Sequence, residues 1–247
     1  MNTRDMEDKR MDQLTDPTEQ KSKEISYLIN KTLSDYGHVY LATDWHLFVR
    51  DEKGKPDCHM CKNYDKIIQN VTSTMTDKDL LIYLGDLADG EMKHESDMEK
   101  LKNVLNVIPG KKVLVLGNND VHPISYYKSC GFNYVVQSFV WSNVLFTHIP
   151  TQNNNQINIH GHIHSNQYPP TYWIPYTNQI DVAYLGGREK LVQLCQVIAS
   201  LSNYAKHIKE DPSHFGEGYT CSALDNVSLF EQCVGSYNIL PDPFPAE

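Results

Sequence analysis

Residues 79–86 read Asp79-Leu80-Leu81-Ile82-Tyr83-Leu84-Gly85-Asp86, an apolar run that a glycine and an aspartate close. A short apolar run bounded in this way predicts a buried strand with a polar residue at its carboxyl end. Two other stretches follow the same plan. The run at 38–43 leads into Asp44-Trp45-His46, and the run at 111–116 leads into Gly117-Asn118-Asn119-Asp120. We therefore expect three buried strands that each end in candidate functional residues.

Segments with helical spacing of apolar residues separate these three runs. They cover residues 64–71 and 94–107, and Pro109-Gly110 closes the second of them. The alternation of strand and helix predicts an α/β fold with a parallel sheet. In open sheets of this kind, sites gather outside the carboxyl ends of the strands. The three polar clusters should therefore meet at one edge.

The second half of the chain is richer in short strands. A hairpin is predicted between 134–139 and 143–147, turning at Trp141-Ser142-Asn143, and its second strand leads into His148. A strand at 157–160 leads into Gly161-His162-Ile163-His164. Further along, the pattern predicts one more strand and then a helix, over 179–185 and 191–208.

The length and composition suit a single α/β domain. The chain has 247 residues, of which 40% are hydrophobic and 21% charged, so it can bury one large core or at most two small ones. Residues 1–24 are charged and nearly free of branched aliphatic side chains, which predicts a flexible segment or a frayed helix. The main domain is expected over 25–210. Residues 211–247 are expected to form a C-terminal extension that packs on the surface or is partly mobile.

Charge and cysteine content restrict the partners and the compartment. A net charge of -9 argues against binding of long nucleic acids, although a nucleotide-sized substrate stays possible. No apolar leader or membrane-spanning run is apparent, so the six cysteines predict reduced thiols in a cytoplasmic protein without membrane contact. Cys58-His59-Met60-Cys61 has the spacing of half a zinc site, but no second pair matches it. The oligomeric state does not follow from the sequence.

The predicted strand ends together carry a set of oxygen and nitrogen ligands for metal ions. The set has two carboxylates, one amide and four imidazoles: Asp44, His46, Asp86, Asn118, His148, His162 and His164. Such a mixture suits manganese, iron, zinc or nickel better than calcium or magnesium. Seven ligands are too many for one ion, but they suit two ions about 3.5–4 Å apart that share a carboxylate. Two such ions lower the pKa of a bound water enough to give hydroxide near neutral pH, as a nucleophile for phosphorus.

The order of these motifs resembles the calcineurin-like metallophosphoesterase superfamily. Its pattern is D-x-H, G-D, G-N-H-D, a single His and G-H-x-H, and the resemblance covers about residues 38–187. It implies a four-layered αββα sandwich of two mixed β-sheets flanked by helices. It also implies two divalent metal ions, with manganese expected first and iron, zinc, nickel or cobalt as alternatives. One ion would take Asp44, His46, Asp86 and His164, and the other Asp86, Asn118, His148 and His162, so that Asp86 bridges.

One position departs from the family pattern. This chain has Asn119 where the resemblance implies a histidine that the following aspartate, here Asp120, would hold and that would contact the leaving group. Asparagine can donate a hydrogen bond but cannot act as a general acid. His122 and His59 are candidates to replace the missing acid. The predicted catalytic residues are therefore Asn119, Asp120 and His122.

The resemblance predicts a metal-dependent phosphoesterase that hydrolyses a small or nucleotide-like phosphodiester, with the hydroxide held between the two ions as nucleophile. A phosphomonoesterase or protein phosphatase is the alternative within the enzyme class, disfavoured because no arginine lies beside the motifs. A metal-binding scaffold with weak catalysis is the alternative from another class. Asn119 favours that alternative, whereas the complete set of ligands opposes it.

Overall fold

A computed structural model describes residues 18–48, 64–88, 95–151, 156–163, 179–188 and 190–198. Helices and strands alternate through the first half of these residues, as the apolar pattern predicts. The helices are α1 (Thr18–Ser34), α2 (Tyr64–Thr74), α3 (Glu95–Asn106) and α4 (Ile124–Ser129). The strands are β1 (Val39–Ala42), β2 (Leu80–Tyr83), β3 (Lys111–Val115), β4 (Tyr134–Val136), β5 (Phe139–Trp141), β6 (Val144–Phe146), β7 (Ile157–His160), β8 (Gln179–Asp181) and β9 (Val192–Gln193).

The first sheet has five strands in the order β4-β3-β2-β1-β9. The strands β1 to β4 are mutually parallel, with Leu41 opposite Ile82 and Ile82 opposite Val113. Strand β9 pairs antiparallel with β1 at one edge. The three strands predicted from the sequence are therefore neighbours, and their carboxyl ends lie side by side.

The second sheet has four strands in the order β5-β6-β7-β8. Strands β5 and β6 form an antiparallel hairpin that turns through Ser142, and β6, β7 and β8 are parallel. The predicted hairpin between 134–139 and 143–147 is therefore wrong in its first strand. The segment Tyr134–Val136 joins the first sheet beside β3 instead. A short β-rich run does not carry information on which sheet it will join, because both sheets offer it an apolar environment.

The two sheets face each other across a shared core. Successive residues of a strand point to opposite faces. Thus Leu41 and Ile82 pack with Ile159 of the second sheet, whereas Tyr40 and Leu81 pack on the opposite side, in a second core to which α2 and α3 contribute. Helix α1 packs on the hairpin of the second sheet. Two mixed sheets with flanking helices confirm the predicted α/β sandwich.

Helix α1 begins earlier than the sequence suggests. Residues 18–24, which we expected to be flexible or frayed, form its first turns. Two features fix the helix to the domain: Ile25 and Ile29 are fully buried, and Ser26 Oγ donates a hydrogen bond of 3.0 Å to the carbonyl oxygen of Val140. The apolar anchors lie at the middle of the helix, so its charged beginning gave no local signal of order. Residues 1–17 lie outside the described part of the chain.

The region from 179 to 198 also differs from prediction. The strand expected over 179–185 ends at Asp181, and a π-helical turn over Ala183–Gly187 follows. The helix expected over 191–208 is preceded by strand β9, and residues 194–198 are helical. The reason is tertiary, because Val192 pairs with Leu41 at the edge of the first sheet. Residues 199–247, which include the predicted C-terminal extension, lie outside the described residues.

Two further findings concern the described residues alone. None of their helices combines the length and the apolar character needed to cross a membrane. Cys130 and Cys195 are buried, and neither forms a disulfide. Cys58, Cys61 and the loop that contains them lie in a part of the chain that the structure does not describe.

Candidate metal centre

The candidate site forms where the parallel strands of both sheets end. Asp44 follows β1, Asp86 follows β2 and Asn118 follows β3. In the second sheet, His148 follows β6 and His162 follows β7. Five short connections from two sheets therefore place polar side chains in one region, as expected for the carboxyl ends of parallel strands.

The backbone of these connections is strained at the candidate ligands. Four of them have positive φ angles: 54° at Asp44, 45° at His46, 56° at Asp86 and 72° at His162. For residues other than glycine this conformation costs about 1–3 kcal/mol each and persists only where the surroundings impose it. Strained residues of this kind cluster at functional sites. Four of the seven non-glycine residues with positive φ angles in the described part of the chain are therefore candidate ligands, and the other three are Tyr36, Phe48 and Ser142.

One group of possible ligands contains Asp44, His46 and Asp86, whose ligand atoms all lie within 4.8 Å of one another. His46 Nε2 is 3.8 Å from both Asp44 Oδ1 and Asp86 Oδ2. The other oxygen of Asp44, Oδ2, accepts hydrogen bonds from Thr43 Oγ1 and from the His162 backbone N–H, at 2.6 and 3.0 Å. These bonds orient the carboxylate and leave Oδ1 facing His46.

A second group contains Asp86, His148 and His162, and it shares Asp86 with the first. His148 Nε2 lies 3.3 Å from Asp86 Oδ2, 3.2 Å from His162 Nδ1 and 3.1 Å from Asn118 Oδ1. The described parts of both predicted ligand sets therefore come together, with Asp86 in common. His164, the seventh predicted ligand, lies outside the described residues and stays a prediction.

The chemistry around His148 fits a divalent cation. Its Nδ1 is 2.7 Å from the Leu84 carbonyl oxygen, so Nδ1 carries a proton and donates it. Nε2 then faces a carboxylate oxygen, an amide oxygen and a ring nitrogen, which all offer lone pairs. Such a cluster requires either a proton on one of the two ring nitrogens, His148 Nε2 or His162 Nδ1, or a cation among the four atoms. A histidine held by a backbone carbonyl on one nitrogen and free to bind on the other is the usual arrangement of a metal ligand.

The same contacts shift the pKa values of the pair in opposite directions. Burial acts to raise the pKa of the Asp86 carboxyl, but the contact with His148 and two hydrogen bonds from Asn119 leave it lower than usual. Burial acts to lower the pKa of His148, but Asp86 and the Leu84 carbonyl leave it higher than usual. The site thus stabilises a negative Asp86 beside a positive charge, and a bound metal ion would supply that charge in place of the proton.

The carboxylate of Asp120 accepts hydrogen bonds from backbone N–H groups rather than from the side chain of Asn119. Its Oδ2 accepts hydrogen bonds from the backbone N–H groups of Asp86 and Gly117, at 2.9 and 2.8 Å, and its Oδ1 accepts one from Leu87 at 3.1 Å. Burial raises the pKa of Asp120 to about 6, although these three donors act to lower it. Among the described contacts, Asp120 makes no hydrogen bond with the side chain of Asn119, which bonds Asp86 instead. Asp120 instead ties the connection after β3 to the connection after β2.

Asn119 contacts the shared ligand directly. Its side-chain Nδ2 donates to Asp86 Oδ2 at 2.7 Å, and its backbone N–H donates to Asp86 Oδ1 at 2.9 Å. The two bonds hold both oxygens of Asp86 at once. The structure therefore places Asn119 next to the candidate metal ligands, in contact with the carboxylate that would bridge two ions.

His122 lies among aromatic side chains at the start of α4. The centre of its ring is 4.8 Å from that of Tyr126 and 6.3 Å from that of Tyr127. Its Nε2 is buried without a hydrogen-bond partner, and burial lowers the pKa of the ring. A role of His122 as a proton donor stays a prediction. The other candidate for that role, His59, falls outside the described residues.

The glycines of the motifs have a role that the sequence pattern did not predict. A Cβ atom added at Gly117 would overlap Oδ1 of Asp86. A Cβ atom added at Gly161 would overlap the hydroxyl of Thr43 and lie 2.7 Å from Oδ2 of Asp44. Each glycine thus leaves room for a candidate ligand from a different motif, which links the motifs sterically.

Thr43 and Arg188 belong to the site although no motif contained them. Thr43 bonds Asp44, and the Nε of Arg188 donates to the Asp44 carbonyl oxygen at 3.4 Å. Arg188 follows the π-helical turn, far from the other motifs in sequence, so only the path of the chain brings it here. No arginine lies beside the motifs in the sequence, but the fold brings Arg188 to the Asp44 segment.

Comparison with known proteins gives a family match and several distant structural resemblances. The family model for calcineurin-like phosphoesterases matches residues 37–213. None of the curated proteins matches the chain significantly in sequence. A protein of unknown function from Aquifex aeolicus is 18% identical with a TM-score of 0.47, and the alignment covers 65% of this chain and 97% of that one. The nuclease MPE of Pseudomonas putida is 17% identical with a TM-score of 0.41, and the alignment covers 55% of this chain and 63% of that one.

Proposed function

We propose a function from the premise that the chain belongs to the calcineurin-like phosphoesterase family, whose model matches residues 37–213. The protein is a metal-dependent phosphoesterase, and its substrate is a small or nucleotide-like phosphodiester. The observation that carries this proposal is the convergence of two groups of possible ligands on one shared carboxylate, Asp86. A shared carboxylate is what a pair of ions requires, whereas a single structural ion would need only one group.

The proposed ligands divide between two ions. Asp44, His46 and Asp86 would hold the first ion, and His164 is proposed as its fourth ligand. The second ion would be held by Asp86 together with the ligands that follow β3, β6 and β7: Asn118, His148 and His162. Two divalent ions bound there would stabilise charge on the phosphoryl oxygens and lower the pKa of a water molecule. The mixed carboxylate and imidazole set supports manganese, with nickel, cobalt, iron or zinc as substitutes.

The preference for a diester rests on the residues of the motifs, none of which is an arginine or a lysine. A phosphodiester carries one negative charge and a phosphomonoester carries close to two at neutral pH. The two proposed ions would offset the buried carboxylates Asp44, Asp86 and Asp120, so these carboxylates exclude neither substrate. A monoester would gain more from a basic side chain beside the ions, and the motifs supply none.

A phosphomonoesterase is the second candidate, and Arg188 is the observation that favours it. A guanidinium beside the Asp44 connection adds positive charge where the second charge of a monoester would need it. Arg188→Ala should lower monoester turnover more than diester turnover if this charge reaches the substrate. Arg188→Lys keeps the charge and serves as the control.

Turnover by the metal-reconstituted enzyme tests the proposed activity. The protein is stripped with a chelator, reloaded with manganese, nickel or cobalt, and assayed with p-nitrophenyl phosphate, its bis-ester and cyclic nucleotides. We expect activity only after reloading and a higher rate on the diesters. A higher rate on the monoester would favour the second candidate. Metal binding without turnover of any of these substrates would support a scaffold.

Asn119 should make the rate of hydrolysis depend on the pKa of the leaving group. An amide that bonds Asp86 cannot deliver a proton, and general acid catalysis is typically worth about 10²–10⁴-fold. We expect the rate of the wild type to fall steeply as the pKa of the leaving group rises, and Asn119→His to make that dependence shallower. The measurement is a series of aryl diesters, with binding of manganese recorded for both proteins. A shallow dependence in the wild type would mean that another group acts as the acid, and His122→Ala or His59→Ala should then steepen it.

A further inference from the structure

The hydroxyl of Tyr83 lies between two of the connections that carry candidate ligands, and it bonds to both. Tyr83 is the last residue of β2 and is fully buried. Its hydroxyl oxygen accepts a hydrogen bond of 2.7 Å from the backbone N–H of Trp45, which lies between Asp44 and His46. The hydroxyl also donates to the carbonyl oxygen of Asp86, at 3.4 Å. One side chain thus joins the segment after β1 to the segment after β2.

The backbone around Trp45 explains why a side chain is needed there. Beyond the ends of β1 and β2 the two segments continue to pair, since the N–H of Asp44 donates to Gly85 O and the N–H of His46 donates to Asp86 O. The positive φ angles at Asp44 and His46 interrupt the regular alternation of the strand. The Trp45 N–H between them is satisfied by the Tyr83 hydroxyl. A buried N–H without an acceptor would cost about 1–3 kcal/mol.

The ring and the protonation state of Tyr83 reinforce this arrangement. The ring packs edge-on against Trp45, with 4.7 Å between the ring centres. A phenol hydroxyl is protonated at neutral pH, so it can donate to the carbonyl oxygen of Asp86 while it accepts from the N–H of Trp45. The side chain is held in place independently of any metal ion.

We infer that Tyr83 is a positioning residue for the first metal ion, acting through the backbone of Trp45 and Asp86. The inference rests on the proposed function, because it assumes that Asp44, His46 and Asp86 bind that ion. Asp44 and His46 flank the backbone group that Tyr83 holds, so the spacing of these two ligands depends on the hydroxyl. The second ion meets this segment through the carboxylate of Asp86, which Asn119 holds independently, and through the backbone N–H of its proposed ligand His162, which bonds Asp44 Oδ2.

Tyr83→Phe removes the hydroxyl and keeps the ring, and calorimetric titration of the chelator-treated protein with Mn²⁺ measures the effect. Loss of a group that orients metal ligands typically weakens binding about 10–100-fold. We expect a loss of that size for one of two ions and an affinity within about twofold of the wild type for the other. Tyr127→Phe is the matched control. Tyr127 is also buried, and its hydroxyl also accepts a backbone N–H, that of His122. This control should lose stability but bind both ions normally.

The outcomes separate this inference from the proposed function. A wild-type protein that binds no Mn²⁺ overturns the proposed function, and the inference with it. If the wild type binds two ions and Tyr83→Phe binds both with unchanged affinity, only the inference is overturned. An equal loss at both sites, or the same selective loss in Tyr127→Phe, also overturns it.

A second measurement covers the case in which Tyr83→Phe does not fold. Amide hydrogen exchange in the metal-free wild type should show the Trp45 N–H protected as strongly as those of Asp44 and His46, which bond to backbone carbonyls. Fast exchange at Trp45 alone would mean that the Tyr83 hydroxyl does not hold this segment, and would overturn the inference.

Discussion

The close approach of Gly161 to Asp44 predicts that Gly161→Ala will weaken metal binding. The new methyl group would overlap the Thr43 hydroxyl and lie 2.7 Å from Oδ2 of Asp44, whereas ordinary contact begins at 3.4 Å. Asp44 must therefore move by about 0.7 Å if the backbone stays in place. Metal sites tolerate deviations of about 0.2 Å in ligand distance. The displacement is large enough to damage the first metal site.

The expected magnitudes follow from the same contact. Overpacking of this kind costs about 1–3 kcal/mol of stability. Disturbing the hydrogen bond that orients a ligand weakens metal binding about 10–100-fold. We expect Gly161→Ala to lose affinity for one Mn²⁺ ion by that factor and to unfold at a lower urea concentration without metal. Binding of the second ion should weaken too, because Gly161 directly precedes its proposed ligand His162 and donates its backbone N–H to the carbonyl oxygen of His148.

Calorimetry with Mn²⁺ and urea unfolding of the metal-free protein measure the two effects separately. Val144→Ile is the control, because Val144 is fully buried in β6 and an added methylene there overpacks the core without touching a candidate ligand. It should lose stability but bind both ions normally. The reasoning would be refuted if Gly161→Ala bound two ions as tightly as the wild type, or if Val144→Ile lost the same ion.

Three further predictions concern stability. Asp120→Asn should lower the free energy of unfolding by about 1–3 kcal/mol at pH 8, because an amide cannot accept hydrogen bonds from three backbone N–H groups. Urea unfolding measures this loss, and Asp65→Asn at an exposed position, which should change the stability little, is the control. Burial lowers the pKa of His160 from 6.5 to about 4, so the unfolded chain takes up a proton first as the pH falls. The neutral ring therefore contributes its full stabilisation above pH 6.5, and the free energy of unfolding falls by about 3 kcal/mol between pH 6.5 and pH 4. Urea unfolding against pH should show this slope and His160→Gln should lack it; equal slopes would contradict the assignment. Deletion of residues 1–24 should destabilise the protein more than deletion of 1–17, because only the longer deletion truncates α1; thermal unfolding of both compares them.

The convergence of the candidate ligands could be predicted because it depends on local pattern and parallel topology. Asp44, Asp86 and Asn118 each follow an apolar run, and three such runs separated by helices pair in parallel. Parallel neighbouring strands bring their carboxyl ends to the same edge of the sheet, whatever conformation the connecting loops have. The residues at the ends of β6 and β7 follow the same rule in the second sheet.

The features that escaped prediction depend on contacts between distant parts of the chain. Arg188 reaches Asp44 only because a π-helical turn and strand β9 return the chain to the edge of the first sheet. Strand β4 leaves the expected hairpin to pair with β3. Asp120 binds backbone amides whose positions are set by the connection after β2. Such partners have no signature in the spacing of residues along the sequence.

Electron paramagnetic resonance of the Mn²⁺-loaded protein tests the shared role of Asp86 most directly. If two ions bind on either side of this carboxylate, metal analysis should give two ions per chain, and the spectrum should show magnetic coupling between them. Asp86→Asn should lower the occupancy of both ions, whereas His46→Ala should lower mainly one. Saturation at a single ion, or two ions without coupling, would contradict a two-metal centre built on Asp86.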